Sequence, residues 1–164
     1  MKKHLPVDAG MIGMIPLTAI SRSEEDGAWR EGGMVVRVQG GRYLNLHYND
    51  GRISISADLN GSVPVLEDTD FWVGDLCYVL ESNFPDDENG KEAEGYWAAC
   101  NRTYETPRYG ACFMKPFRLS DGVAGLVSRT QWGDGSYPAE VRMEDGYAVH
   151  IIVETGDTDE DEEE

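Results

Sequence analysis

The sequence predicts a mainly β fold: an antiparallel sandwich or barrel-like sheet built from hairpins, with at most one or two short helices and a possible α+β variant. Turn residues punctuate the chain about every eight to twelve positions, as strand-rich folds require, and it holds 19 Gly and 7 Pro. Apolar and polar residues alternate with a period of two in several segments, whereas helical periodicity is scarce. Since 40% of the residues are hydrophobic and 10% are aromatic, the chain can close a core.

The first half of the chain contains the strongest hairpin signal. Residues 43–48 alternate between two side-chain sets, as a half-buried strand does. The following Asn49-Asp50-Gly51 supplies the positive-φ residues that tight hairpin turns prefer, so we expect 42–48 and 52–58 to pair antiparallel. Residues 71–80 are apolar at nearly every position, which is typical of a strand covered on both faces.

The second half is predicted to hold one helix and four strands. Residues 81–95 are polar and acidic and indicate a surface loop. Residues 91–102 are the best helix candidate, although Gly95 in the interior predicts a short or distorted helix. The four strands are expected in two pairs, 108–119 with 122–129 and 137–143 with 147–154.

The chain is strongly acidic: 31 Asp and Glu against 14 Lys and Arg give a formal net charge of −17. Seven of the acidic residues fall within 157–164, a stretch without any apolar side chain. Like charges at this density repel, so we expect a disordered acidic tail at 157–164 after a single acidic β-rich domain of residues 1–156. The sign of the charge argues against direct binding to nucleic acid or to an anionic membrane.

The cysteine and histidine spacings indicate neither a disulfide framework nor a metal site. Cys77, Cys100 and Cys112 are an odd number at unpaired spacings, which fits free thiols in a reducing compartment. The three histidines are equally scattered. We find no signal-peptide pattern and no apolar run near the roughly 20 residues that a membrane span needs. The sequence therefore predicts a cytoplasmic protein with no cofactor and no bound metal.

Three short motifs resemble those of an uncharacterised family of small phage and bacterial proteins. Residues 74–78 (Gly-Asp-Leu-Cys-Tyr) resemble a Gly-Asp-Pro-Cys-Tyr motif, and residues 133–139 (Gly-Asp-Gly-Ser-Tyr-Pro-Ala) resemble a Gly-Asp-Gly-x-Tyr-Pro-Val motif in the terminal hairpin. Residues 7–10 (Val-Asp-Ala-Gly) resemble the family's opening segment. Leu76 and Ala139 depart from the family's Pro and Val. The resemblance implies a β-rich fold and a phage or prophage origin, and it implies no reaction.

The three motifs contain the candidate ligand-binding residues Asp8, Asp75 and Asp134. The carboxylates of Asp75 and Asp134 follow a glycine in a turn, where each can accept a hydrogen bond from a backbone N–H two residues on. Alternatively, the three carboxylates meet at one end of a sandwich and bind a divalent cation or a small ligand. Cys77 lies in an apolar run without a basic neighbour, so we expect a small hydrophobe there and predict no catalytic residue.

The charge favours a non-catalytic, phage-encoded interaction protein. It would bind a basic or nucleic-acid-binding host protein through an acidic surface and inhibit it, in an anti-defence or host-takeover role, as a mimic of DNA or another polyanion. The candidate partner-binding residues are Asp86, Asp87, Glu88, Glu92 and Glu94.

Two further readings remain open beside that one. The first is a small binding protein or enzyme that uses the three aspartates, and the second is a virion accessory component, for which a symmetric oligomer is expected. Most of the four tryptophans, Trp29, Trp72, Trp97 and Trp132, are expected in the core. Any that is exposed would mark a protein-binding site.

Overall fold

The computed structural model describes residues 2–20, 31–80, 94–120 and 123–156. The strands in these ranges are β1 (Lys2–Val7), β2 (Met11–Pro16), β3 (Gly33–Val38), β4 (Tyr43–Asn49), β5 (Arg52–Asp58), β6 (Val63–Pro64), β7 (Thr69–Gly74), β8 (Ala111–Met114), β9 (Phe117–Ser120), β10 (Val123–Arg129), β11 (Gly135–Glu144) and β12 (Tyr147–Glu154). The helix α1 spans Tyr96–Thr103, and 3-10 turns span Leu17–Ala19 and Leu76–Tyr78.

The strands form two antiparallel sheets that pack face to face. The first sheet has the order β1-β11-β12-β5-β4-β6, with β8 also paired to β4. The second has the order β3-β7-β2-β10-β9. The predicted mainly β antiparallel fold is confirmed, and the sheets form a sandwich that does not close into a barrel.

The main core lies between the sheets and takes side chains from both inner faces. In β4, Leu44, Leu46 and Tyr48 are at most 2% exposed, whereas the residues between them are half-buried. This is the alternation that the sequence predicts for residues 43–48. Each large apolar side chain buried in this way contributes roughly 1.5–3 kcal/mol to folding.

A second core lies on the outer face of the second sheet, beneath α1 and the 3-10 turn Leu76–Tyr78. Trp72 and Ile15 are fully buried there, while their neighbours Val73 and Met14 point into the main core. Strands β7 and β2 are therefore covered on both faces, which confirms the prediction for the first part of the 71–80 segment.

The second part of that segment is not a strand, so the prediction for 75–80 was wrong. The Asp75 carboxylate accepts a hydrogen bond from the backbone N–H of Cys77 and caps the 3-10 turn. The N–H groups of Val79 and Leu80 then bond back to the carbonyl of Leu76, at 3.1 and 2.9 Å. These local bonds take the place of sheet pairing after Gly74.

Two predicted hairpins have the predicted turns. Asp50 and Gly51 adopt φ of 48° and 93° between β4 and β5, and Asp145 and Gly146 adopt φ of 56° and 87° between β11 and β12. Positive φ at both central residues is the turn geometry that matches the twist of paired strands.

The helix and the segment after it differ from prediction. Gly95, with φ 67°, precedes the first helical residue Tyr96, so α1 starts later than the predicted 91; residues 91–93 lie outside the described part. The predicted strand 108–119 is two strands, β8 and β9, which flank Pro116 and pair with different partners, β4 and β10. Proline has no N–H to donate to a ladder, which favours this break. In the described ranges no helix has the length and apolarity to cross a bilayer.

Candidate functional site

Asp75 is fully buried and is held by three backbone N–H groups. Its Oδ2 accepts hydrogen bonds from the N–H of Asp8 at 2.9 Å and of Ala9 at 2.6 Å. Its Oδ1 accepts from the N–H of Cys77 at 3.0 Å, the bond two residues on that the sequence predicts. Burial raises the pKa of Asp75, and the N–H donors partly offset this effect. The carboxylate ties the β1–β2 turn to the end of β7.

Asp8 lies beside Asp75 and uses its carboxylate in the same network. Tyr78 donates its hydroxyl proton to Asp8 Oδ2. Burial and this hydrogen bond both raise the pKa of Tyr78. Two of the three candidate aspartates are thus adjacent, and each accepts hydrogen bonds from the protein itself.

Asp134 is exposed in the turn before β11, at the same end of the sandwich. Thr130 N–H donates to the carbonyl of Gly10 at 2.9 Å, and Tyr137 donates its hydroxyl proton to the carbonyl of Gly133 at 3.0 Å. The first bond joins the β1–β2 turn to the end of β10, and a Cβ on Gly10 would lie 3.9 Å from Gly133 Cα, so the third motif lies beside the first. Among the described residues, however, no three Asp, Glu, His or Cys side chains are arranged to hold a metal ion.

A cleft of about 510 Å³ opens beside these motifs, and we call it the aromatic cleft. Its walls come from residues 9–11 of the β1–β2 turn, residues 103–104 at the end of α1, residues 107–109, and residues 129–133 after β10. The volume falls in the range of ligand pockets, roughly 300–1,000 Å³.

The aromatic cleft carries three strongly exposed aromatic side chains. Tyr104 is 76% exposed, Tyr109 is 72% exposed and Trp132 is 61% exposed. Large aromatic groups normally lie mostly inside a protein, as the fully buried Trp72 does. Most tryptophans were expected in the core, but among the described ones Trp132 is strongly exposed. Trp97 is half-buried, and Trp29 lies outside the described residues.

Two arginines line the same cleft, and neither has a carboxylate partner among the described residues. The Arg108 guanidinium lies 5.9 Å from the centre of the Tyr109 ring, and Arg129 Nη2 donates to the carbonyl of Thr106 at 3.4 Å. Within the described ranges neither arginine makes an ion pair, and no Asp or Glu lines the cleft. A guanidinium fork without a counter-charge is suited to a carboxylate or phosphate.

Burial disfavours the thiolate form of two of the described cysteines. No disulfide joins Cys77, Cys100 and Cys112, and Cys100 lines the aromatic cleft. Burial raises the pKa of Cys100 and of Cys112. A nucleophilic cysteine needs the opposite shift, because the thiolate is the reactive form.

The predicted acidic partner-binding residues are mostly outside the described part of the chain: Asp86, Asp87, Glu88 and Glu92 lie there, as does the predicted tail 157–164. Glu94 is described, and its Oε2 lies 3.0 Å from Arg118 Nε. The described ranges hold 15 acidic and 11 basic side chains, a formal charge of 11 − 15 = −4 out of −17. Most of the net charge therefore belongs to segments outside them.

Sequence reasoning missed the aromatic cleft. Residues 108–110 were expected to begin a strand, but they belong to the irregular connection between α1 and β8. Pro107 and Gly110, which bracket Arg108 and Tyr109, are turn residues and could have indicated an exposed loop. Arg108 and Tyr109 line the same cleft as Trp132 because of how β10 packs in the fold. No local sequence pattern indicates this proximity.

No protein-family model, no curated protein and no solved structure matches this chain. The functional conclusion therefore rests on the chemistry of the aromatic cleft.

Proposed function

We propose that this protein is a non-catalytic interaction protein that binds a partner protein through the aromatic cleft. One observation carries the proposal: one concave surface is surrounded by three exposed aromatic side chains and by two arginines that have no carboxylate partner in the described part of the chain. Trp, Tyr and Arg supply most of the binding energy at protein interfaces. Monomeric proteins rarely leave such a surface uncovered.

The charge of the aromatic cleft indicates the chemistry of the bound segment. Arg108 and Arg129 favour carboxylates, and the ring faces of Tyr104 and Trp132 favour flat or apolar side chains. We infer that the partner presents an acidic segment with interspersed apolar residues. The arginines would set its register, and the aromatic side chains would provide most of the buried area.

A host protein in the cytoplasm is the partner that fits the remaining observations. The resemblance to phage and bacterial proteins supports a phage origin and an inhibitory, anti-defence role. No disulfide joins the three described cysteines, which supports a reducing compartment.

The binding test compares cleft variants with matched controls outside the cleft. A protein captured from host lysate by the wild type is purified, and its dissociation constant is measured by calorimetry. Trp132→Ala and the double variant Arg108→Gln/Arg129→Gln should each weaken binding by about 30-fold, as loss of a hot spot of about 2 kcal/mol does. Phe113→Ala and Arg142→Gln remove an equally exposed aromatic ring and an exposed arginine elsewhere, and they should change binding less than threefold.

Equal losses in cleft and control variants would contradict the proposal. A captured protein whose affinity ignores every cleft substitution and collapses above about 0.5 M salt would instead support a second candidate, in which the acidic segments bind a basic partner. The observation that favours this candidate is the concentration of acidic residues outside the described ranges, where 16 of the 31 lie. In that case neutralising Asp86, Asp87, Glu88 and Glu92 should abolish binding.

A further inference from the structure

We propose that the acidic segment 157–164 of this chain binds in the aromatic cleft of the same molecule, with its carboxylates on Arg108 and Arg129. The contact itself is independent of the proposed function. Its consequence, competition between this segment and the acidic segment of the partner, rests on that function.

The chain leaves the described structure at the rim of the cleft. Thr155 is fully buried, its N–H and hydroxyl both donate to the carbonyl of Gly51, and its Oγ1 accepts a hydrogen bond from the N–H of Gln131 at 3.2 Å. Gly156 packs so closely on Gln131 that an added Cβ would lie 2.1 Å from Gln131 Oε1. Gln131 is a lining residue of the aromatic cleft, so the last described residue of the chain lies next to the cleft.

The distance is short enough for the segment to reach the arginines. An extended chain advances about 3.3–3.6 Å per residue, so three residues cover about 10 Å. Arg129 precedes Gln131 by two positions in the chain, so their Cα atoms are at most about 7 Å apart. Attachment at the rim also keeps the segment at an effective concentration in the millimolar range.

The charges are complementary. Residues 157–164 contain seven carboxylates, and the two arginines of the cleft have no carboxylate partner among the described residues. A rival basic group near the end of β12 contains Lys2, Lys3 and Arg52. This group is already countered, because Glu140 and Glu154 line the same depression and Arg52 Nε lies 2.7 Å from Glu154 Oε2.

The contact should be weak and sensitive to salt. An exposed ion pair contributes about 0–1 kcal/mol, so the segment would exchange on and off the cleft rather than seal it. A bound segment of this kind can be displaced by a partner that also uses the aromatic side chains. The bound segment would thus compete with ligands that contact the arginines alone, and it would be displaced by a ligand that also contacts the aromatic side chains.

The test records amide and Trp indole N–H chemical shifts by NMR without any partner. Three chains are compared: the full chain, a chain that stops at Gly156, and a full-length chain with the Asp and Glu of 157–164 changed to Asn and Gln. We expect shift differences between the full chain and the other two at residues 129–133 and at the Trp132 indole. Arg108→Gln/Arg129→Gln should remove these differences, Arg142→Gln should keep them, and 1 M NaCl should abolish them because the Debye length falls to about 3 Å.

The proposal is overturned if differences are confined to Gly51, Gln131 and Thr155, which already contact the end of the described chain, or if they map to Lys2, Lys3 and Arg52. Differences that survive the double arginine variant also overturn it. None of these results bears on the proposed function, which is tested by measuring the binding of a partner protein. Conversely, a failure to bind a partner would not change the NMR result.

Discussion

Asp75 joins the β1–β2 turn to the end of β7 through hydrogen bonds to its carboxylate. The sequence leaves open whether it holds a turn or binds a ligand, and the structure places both of its oxygens on backbone N–H groups. A carboxylate saturated in this way stabilises the junction of the β1–β2 turn and β7. The carboxylate also accepts the hydrogen bond from the N–H of Ala9 and so positions this lining residue of the aromatic cleft.

Asp75→Ala should lower the free energy of unfolding by about 3 kcal/mol or more, because buried N–H groups that lose an acceptor cost roughly 1–3 kcal/mol each. Asp75→Asn keeps one acceptor oxygen and should cost less. Asp8→Ala loses only the bond from Tyr78 at the surface and should cost about 1 kcal/mol. Urea unfolding measures all three, and a loss for Asp75→Ala no larger than that for Asp8→Ala would argue against a structural role.

Asp68 provides the clearest pH-dependent contribution to stability. It accepts hydrogen bonds from the N–H of Gly40 at 2.9 Å and from the hydroxyl of Tyr147 at 2.7 Å, and these bonds hold the pKa of Asp68 below its usual range. A folded-state pKa below the unfolded value means that the stabilisation is present above about pH 3.8 and is lost as the pH falls through the folded value.

We therefore expect the wild type to exceed Asp68→Asn in stability at pH 7 and the gap to close between about pH 4 and pH 2. Urea midpoints at pH 7, 4 and 2.5 test this. A gap that stays constant with pH would show that the carboxylate charge is not responsible.

At the scale of elements, a row of glycines lets the second core approach the sheet. Gly33 and Gly13 are both register partners of Gly74, so three glycines lie side by side across β3, β7 and β2. The Trp72 ring covers Gly33 and Gly74, whereas the Leu76 side chain covers Gly13. A Cβ on Gly33 would lie 2.2 Å from Trp72 Cζ2.

Gly33→Ala should destabilise the protein by about 1–3 kcal/mol, because the Trp72 ring or the strand must shift. Trp72→Phe removes the clashing part of the ring and should reduce the cost of Gly33→Ala. A double-mutant cycle from urea unfolding gives the coupling, expected at about 1 kcal/mol or more. If the two substitutions have additive effects on the free energy of unfolding, the strain caused by Gly33→Ala does not come from contact with the Trp72 ring.

The elements that sequence predicts well are those with local causes. The Asp50-Gly51 and Asp145-Gly146 hairpins follow from residues that tolerate positive φ, and the β4 alternation follows from one buried face. The start of α1 at Tyr96 and the end of β7 at Gly74 depend on a backbone φ and on the Asp75 cap, which composition does not determine.

The aromatic cleft has no local cause. It is assembled from the loop after α1 and the turn after β10, which meet because α1 packs on β10 and β9 and because the N–H of Arg129 donates to Thr106 Oγ1 at 3.1 Å. The motif residues Asp8 and Asp134 lie at the same end of the sandwich as the aromatic cleft, but their carboxylates do not line it. The exposed aromatic side chains and arginines between them carry the more specific chemistry.

At the scale of the whole molecule, the described strands link two cores into one unit. Strand β2 supplies Ile12 and Met14 to the main core and Met11 and Ile15 to the second core. Because the same backbone supports both faces, loosening one core removes the support of the other. We expect the two cores to unfold together, as a single cooperative domain does.

Ile12 and Ile15 test this expectation as a matched pair, since both are fully buried in β2 but lie in different cores. Ile12→Ala and Ile15→Ala should each cost about 2–5 kcal/mol. In both variants the urea transition followed by tryptophan fluorescence, which includes Trp72 of the second core, should coincide with the transition followed by far-UV circular dichroism of the sheets. If Ile15→Ala instead shifts the fluorescence transition alone, the helix and the 3-10 turn form an attachment that melts before the sandwich, and the aromatic cleft, which α1 helps to build, would open with it.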